Sequence, residues 1–216
     1  MNTSQFESLT GEIDIDFPEY DNPPPDPMPL VQQWIGEATA RGVREPRALA
    51  LATSDSQGRA SSRIVALTDI SDRGLAFASH STSQKGRELA ATRWASGLLY
   101  WRETGQQLIF SGPVSQLDNA ESDAFWFDRP IPMHSMSMVS RQSEPLDDLA
   151  AVAALRTEAA RLEAPGTPLP RPAHFVVYRL APVAVEFWCA DSERLHRRLR
   201  YDRQDPHGWR TRRLHP

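Results

Sequence analysis

The spacing of apolar residues changes along the chain. After a proline-studded opening, Leu30, Trp34 and Ala38, with Val31 and Ile35 beside them, recur at helical spacing as far as Gly42. This predicts one amphipathic helix, with Asp26 as its N-cap. The next 65 residues switch to short apolar or alternating runs: ALALATSD, SSRIVALTDI, GLAFASH, GLLYWRE and QQLIFSGPVSQL, separated by turn signals such as SQGR, SDRG and ETG. Strands at hairpin spacing predict an antiparallel barrel or sandwich. One interruption, STSQKGRELAATRW, opens with hydroxyl residues suited to capping and continues as a helix on its Leu89/Arg93 face. A second helix is expected after Asp118, whose spacing to Glu121 is that of a capping box, ending before Pro130. A third is expected from Pro145, a first-turn proline, through DDLAAVAALRTEAARLEA. After the break GTPLPRP come two further strands, HFVVYRL and AVEFW, and an Arg-rich end.

A length of 216 residues suggests one folded domain over 28–216, preceded by an arm over 1–27. The arm contains FPEYDNPPPDP, in which proline removes backbone donors and the acids repel one another, so it is expected to be mobile or draped, without a packed core. No apolar run approaches the roughly 18–20 residues of a membrane helix, and the first residues lack the basic-then-apolar order of a secretory signal. A cytoplasmic protein with no membrane partner is expected. The single cysteine, Cys189, excludes a disulfide framework within the chain and a cysteine-rich zinc site.

The net charge of −4 conceals an asymmetry. The first 40 residues carry eight acids and no Lys or Arg, so the body is slightly basic. Lys85 is the one Lys among 24 basic residues. The C-terminal EFWCADSERLHRRLRYDR could read as a nucleic-acid patch. Asp191, Glu193, Asp202 and Asp205 interleave with its arginines, which argues against a nucleic-acid partner.

The sequence holds no GxSxG, GxGxxG or GxxxxGK[ST] motif, and its histidines (80, 134, 174, 196, 207 and 215) form no HxxxH or HExxH pair. No metal site is expected. What remains is polar residues at strand ends: Arg63, Ser79, Ser83-Gln84-Lys85 opening a helix, and Gln107. Such a set suits a phosphorylated cofactor, because a phosphate dianion needs cations and N–H donors converging from rigid elements. On this segment alone, a helix cap with a solvated Lys85 is the favoured reading.

RIVALT (63–68), GLAFASHSTSQKGREL, GQQLIFSG, FDRP (127–130), SRQSE (140–144), VEFWCADSERLHRR (185–198) and the terminal GWRTRRLHP, in this order, resemble the pyridoxamine 5′-phosphate oxidase family. The resemblance implies a mainly β fold with flanking helices, an FMN-binding split β-barrel, and a homodimer with FMN at the subunit interface. It maps the cofactor site onto Arg63, Ile64, Val65, Ala66, Ala78, Ser79, Gln84, Lys85, Gln107, Gln142, Ser143, Trp188 and Arg198. Arg63, Ser79 and Lys85 would surround the flavin phosphate, and Gln142 and Ser143 match a pair usually supplied by the second subunit. The family often has Tyr at Ala78 and Arg at Gln84.

The substrate positions depart from the vitamin-B6 oxidases of that family. Where those enzymes hold a phosphate with Lys, Tyr, Arg and Ser, this chain has Thr68, Phe125, Arg129 and Met133. Arg194 and His196 are retained. A pocket with arginines and nearby thioethers and aromatics favours a flat, carboxylated polycycle. The arm and GVREPRALALAT resemble the phenazine-biosynthesis branch. That resemblance implies oxidation of reduced phenazine carboxylate precursors toward phenazine-1-carboxylate and phenazine-1,6-dicarboxylate, with FMN carrying the chemistry and O2 as acceptor. The alternatives are a pyridoxamine/pyridoxine 5′-phosphate oxidase and a non-catalytic flavin- or haem-binding split barrel.

Overall fold

A computed structural model describes residues 15–204 and 208–216. Its elements are α1 (Pro27–Ala40), β1 (Ala48–Ser54), β2 (Ala60–Ser71), β3 (Gly74–His80), α2 (Gln84–Thr92), β4 (Trp94–Trp101), β5 (Gln106–Gln116), α3 (Asn119–Phe127), α4 (Pro132–Val139), α5 (Leu149–Glu163), β6 (Phe175–Leu180), β7 (Ala184–Cys189), β8 (Arg197–Arg203) and β9 (Trp209–Arg213). The antiparallel strands run in the order β4-β1-β2-β3-β6-β5-β7-β8-β9, and β4 also pairs with β5. The first six therefore close into a barrel, and β7, β8 and β9 extend from it. The fold class is the expected one.

Strand β5 is where the barrel splits. Gln106–Ser111 pair with β7, whereas Val114–Gln116 pair with β6. The change of partner falls at Gly112, where a Cβ would lie 2.2 Å from the carbonyl oxygen of Ala181, so the two chain segments approach this closely only at glycine. Alternation along the strands sends Leu49, Leu51, Val65, Leu67, Leu75, Phe77, Leu99, Leu108 and Phe110 into the main core. The helix predicted to end at Gly42 is α1, with Asp26 accepting from the amide of Met28 and Leu30, Val31, Trp34, Ile35 and Ala38 buried.

Three readings of the sequence are revised, and three elements are added. The first 14 residues of the arm lie outside the described residues, but Ile15 and Phe17 are buried in the main core. Phe17 meets Trp34 edge-on at 4.9 Å, and Arg213 donates to the carbonyls of Tyr20 and Asp21. This half of the arm is draped and packed. The helix expected from Pro145 begins at Leu149, because the Asp148 side chain caps it by accepting from Ala151 N. Arg93 lies beyond α2 as its left-handed C-cap, so the buried face is Gly86, Glu88 and Leu89. The Arg-rich end contains β8 and β9, and the methionine-rich stretch after Pro130 contains α4.

Candidate functional site

Strands β2 and β3 and the start of α2 converge on a cleft of about 480 Å³, within the roughly 300–1,000 Å³ of small-molecule sites. Arg63, Ile64, Val65, Ala66 and Thr68 line it from β2, Ala78 and Ser79 from β3, Lys85 from α2, and Arg129, Met133, Gln142 and Ser143 from the helical side. Ser83 caps α2 by accepting from Gly86 N. A Cβ on Gly86 would lie 2.3 Å from the Ser81 carbonyl oxygen, so glycine lets the helix start close to the turn and bring Lys85 into the cleft. Lys85 Nζ donates to Ser79 Oγ (3.1 Å) and Gln142 Oε1 (3.2 Å). Burial, and next the charge of Arg63, lower the Lys85 pKa, opposed by Glu88. Two cations thus converge where an anion would relieve their repulsion. The reading of Lys85 as a solvated residue is set aside.

A residue absent from the sequence reading ties Arg63 to α2. Glu88, 6 % exposed, accepts from Thr53 (2.5 Å), Ser61 (2.7 and 2.8 Å) and Gln84 Nε2 (2.9 Å), and pairs with Arg63 at 3.3 Å. Burial by itself would raise its carboxyl pKa. The hydrogen bonds from Thr53, Ser61, Gln84 and Arg63 outweigh that and hold it at about 2. The Gln84 side chain is spent on this contact, outside the cleft wall. The helical i,i+4 spacing of Gln84 and Glu88 was visible in sequence, but the approach of β1 and β2 was not.

Arg129 sits on a platform made by α3, α4 and β6. Its guanidinium lies 4.9 Å from the Phe175 ring centroid and 5.7 Å from that of Trp126, and donates to Ser137 Oγ at 3.1 Å. Burial lowers its pKa. His134 stacks on Trp126 and receives Leu169 N at Nδ1, so Nε2 carries the proton and donates to the Trp126 carbonyl at 2.9 Å. Behind this platform His80 and His174 meet at 4.4 Å, and burial, then His174, Lys85 and Arg129, push the His80 pKa down to about 4. Thr68 lines the cleft with its hydroxyl donating to the Ala76 carbonyl. Phe125 does not line it, and instead packs against the lesser core of Trp126, Phe175 and Val177.

The remaining expected residues form a second cluster. Gln107, Trp188 and Arg198 are register partners across β5, β7 and β8, and His196 packs on Trp188 at 4.7 Å. Arg198 pairs with buried Glu186 at 2.7 Å. Arg194 is exposed beside them, with φ 68°. In the six-strand ring β2 and β5 are opposite each other, so the barrel core stands between this cluster and Arg63. One chain does not close both halves round one small ligand. Gln142 and Ser143, expected from a second subunit, lie in the same chain as Lys85 and Ser79: Ser143 Oγ accepts from Gln84 N at 3.1 Å. That expectation is corrected, and the residues of the second cluster are the ones that lie apart.

Comparison with known families gives a match to the pyridoxamine 5′-phosphate oxidase model over residues 35–189, and to the pyridoxine 5′-phosphate oxidase C-terminal dimerisation region over 175–216. The chain belongs to the pyridoxamine 5′-phosphate oxidase family. Among members of this family, the dihydrophenazinedicarboxylate synthase of Burkholderia lata is 57 % identical over 216 residues, covering all of both chains. The synthase of the same name from Pseudomonas chlororaphis is 53 % identical, over all of this chain and 96 % of that one. A pyridoxine/pyridoxamine 5′-phosphate oxidase of Ralstonia nicotianae is 40 % identical, over 89 % of this chain and 90 % of its own. The crystal structure of PhzG from Burkholderia lata in complex with tetrahydrophenazine-1-carboxylic acid superposes with a TM-score of 0.91 at 55 % identity, covering 95 % of this chain and 100 % of that one. Among the described residues no helix is long and apolar enough to cross a membrane, and no group of three or more potential metal ligands converges.

Proposed function

We propose that this chain is an FMN-dependent oxidase of phenazine biosynthesis, oxidising reduced phenazine carboxylates with O2 as acceptor, as a homodimer with two interfacial sites. The observation that carries the reading is the convergence of Arg63, Ser79 and Lys85 in one cleft with Arg129, whose neighbours on that cleft, Thr68 and Met133, add no further cation. Arg63, Ser79 and Lys85 supply donors suited to the FMN phosphate. Adjacent Arg129 is a carboxylate fork resting on aromatic faces, with Thr68 and Met133 on the same cleft. The names of the two synthases and the ligand of the Burkholderia lata structure support this substrate class.

When bound, FMN supplies a two-electron acceptor. The protein's part is to bind and orient. Lys85, Arg63 and Ser79 fix the phosphate end, Arg129 holds a substrate carboxylate, and Met133 covers apolar ring surface. Gln107, Trp188, Arg198, Arg194 and His196 from a second copy of the chain complete the site from the other side. The separation of the two clusters within one chain and the match to a dimerisation region support this assignment. Oxygen uptake by the FMN-loaded protein tests the activity, with a reduced phenazine carboxylate and pyridoxamine 5′-phosphate as parallel substrates. Turnover of the first in excess of the second is expected. Equal or greater turnover of the phosphorylated pyridine returns the B6-oxidase reading.

A further inference from the structure

Arg63 and Lys85 reach the cradle from different elements, and one carboxylate ties those elements together. Arg63 Nη1 donates to Thr53 Oγ1 and Nη2 donates to Ser61 Oγ, and both hydroxyls donate in turn to the Glu88 carboxylate. A direct Arg63–Glu88 contact of 3.3 Å completes the loop. On its other side Glu88 receives Gln84, the residue preceding Lys85. Each hydroxyl therefore commits its one proton to Glu88 and a lone pair to Arg63, which fixes its orientation.

We infer that Glu88 is the positioning residue of the cradle, holding Arg63 through the Thr53 and Ser61 hydroxyls and registering β2 against the start of α2 so that Arg63 and Lys85 meet one phosphate. The inference rests on the FMN reading above. It also runs against simple charge counting. A carboxylate beside two cations weakens their field, so a Glu88 that acted by charge alone would bind FMN more tightly once neutralised. A positioning Glu88 gives the opposite sign, because Arg63 without its anchor pays the ordering entropy on binding.

Apo-protein titrated with FMN and, separately, with riboflavin, which lacks the phosphate, distinguishes these. Glu88→Gln is expected to weaken FMN binding by about tenfold, the scale of one charge-assisted hydrogen bond, and to leave riboflavin binding unchanged. In an Arg63→Ala background the same substitution is expected to add nothing, since a residue acting through Arg63 is silent without it. Unchanged or tighter FMN binding, an equal loss for riboflavin, or an undiminished loss in the Arg63→Ala background overturns the inference. If Glu88→Gln does not fold, Thr53→Val and Ser61→Ala each cut one bridge. Both should weaken FMN and spare riboflavin, and normal FMN binding in the two overturns the proposal. An unaltered chain that binds no FMN overturns the cofactor reading itself, and this inference with it.

Discussion

At the scale of single residues, a few charged groups are held by hydroxyls, amides, aromatic faces and two buried carboxylates, Glu88 and Glu186. Lys85→Ala and Arg63→Ala should each cost about 1.5–3 kcal/mol of FMN binding, the range for hydrogen bonds to charged groups, read by flavin fluorescence. Arg129→Ala should keep the flavin and lose roughly one to two powers of ten in kcat/KM on carboxylated substrate. Full kcat/KM in this variant removes Arg129 from the substrate site. His80 sets a pH dependence. Its folded pKa of about 4 lies below the ordinary 6.5, so between those values the unfolded chain binds the extra proton. Stability should therefore be at its plateau above pH 6.5 and fall as pH drops toward 4. His80→Leu should flatten that slope in thermal unfolding measured from pH 4.5 to 7, and an unchanged slope assigns it to other groups.

At the scale of elements, the N-terminal strap and the split strand decide what is rigid. Phe17 is 2 % exposed against Trp34 and Phe187, on a segment whose prolines and acids suggested no core. Phe17→Ala should destabilise the protein by about 3–5 kcal/mol, the cost of emptying a buried aromatic site, measured by urea unfolding. A change under about 1 kcal/mol, the scale of surface substitutions, would show that the strap does not share the core. Periodicity missed this packing because the apolar run Ile13, Ile15 and Phe17 is short and stops at Pro18, inside a stretch dominated by acids and prolines. It missed β8 for a related reason: charged side chains on one face of that strand, Arg198 and Arg200, are paired with Glu186, while Leu199 and Tyr201 are buried on the other. The arginines masked an ordinary alternation.

At the scale of the whole molecule, the two clusters of expected site residues stand on opposite sides of the barrel core. If one flavin joins the cradle of one chain to Trp188 and Arg198 of another, cofactor binding and association are linked. FMN should shift a monomer–dimer equilibrium toward dimer in sedimentation. A monomer that binds FMN with full affinity refutes the interfacial site. Substrate choice belongs to this scale as well, since it depends on several walls of one cleft. Thr68→Lys with Met133→Ser should gain measurable affinity for pyridoxal 5′-phosphate in a competition assay. Phe125 packs away from the cleft, so Phe125→Tyr should add little to that pair. A large additional gain from Phe125→Tyr would place that side chain in the site.

Local pattern alone determined most of the strands and the capped starts of α1, α2 and α3, and it drew attention to Lys85, whose assignment to a phosphate together with Arg63 came only from the family resemblance. Those features depend on nearest neighbours in the chain: alternation for a half-buried strand, a hydroxyl or carboxylate for a cap, a lone lysine after a capping serine. The motif order carried the family. Tertiary structure decided the rest, because each remaining feature joins residues distant in sequence. Glu88 became a structural centre only when β1 and β2 brought Thr53, Ser61 and Arg63 to it. Gln142 and Ser143 fell to the same chain as Lys85 because of where α4 leads them. The division of the site into two halves follows from barrel closure, which puts β2 and β5 on opposite sides of a packed core, and no local pattern encodes which strands end up opposite.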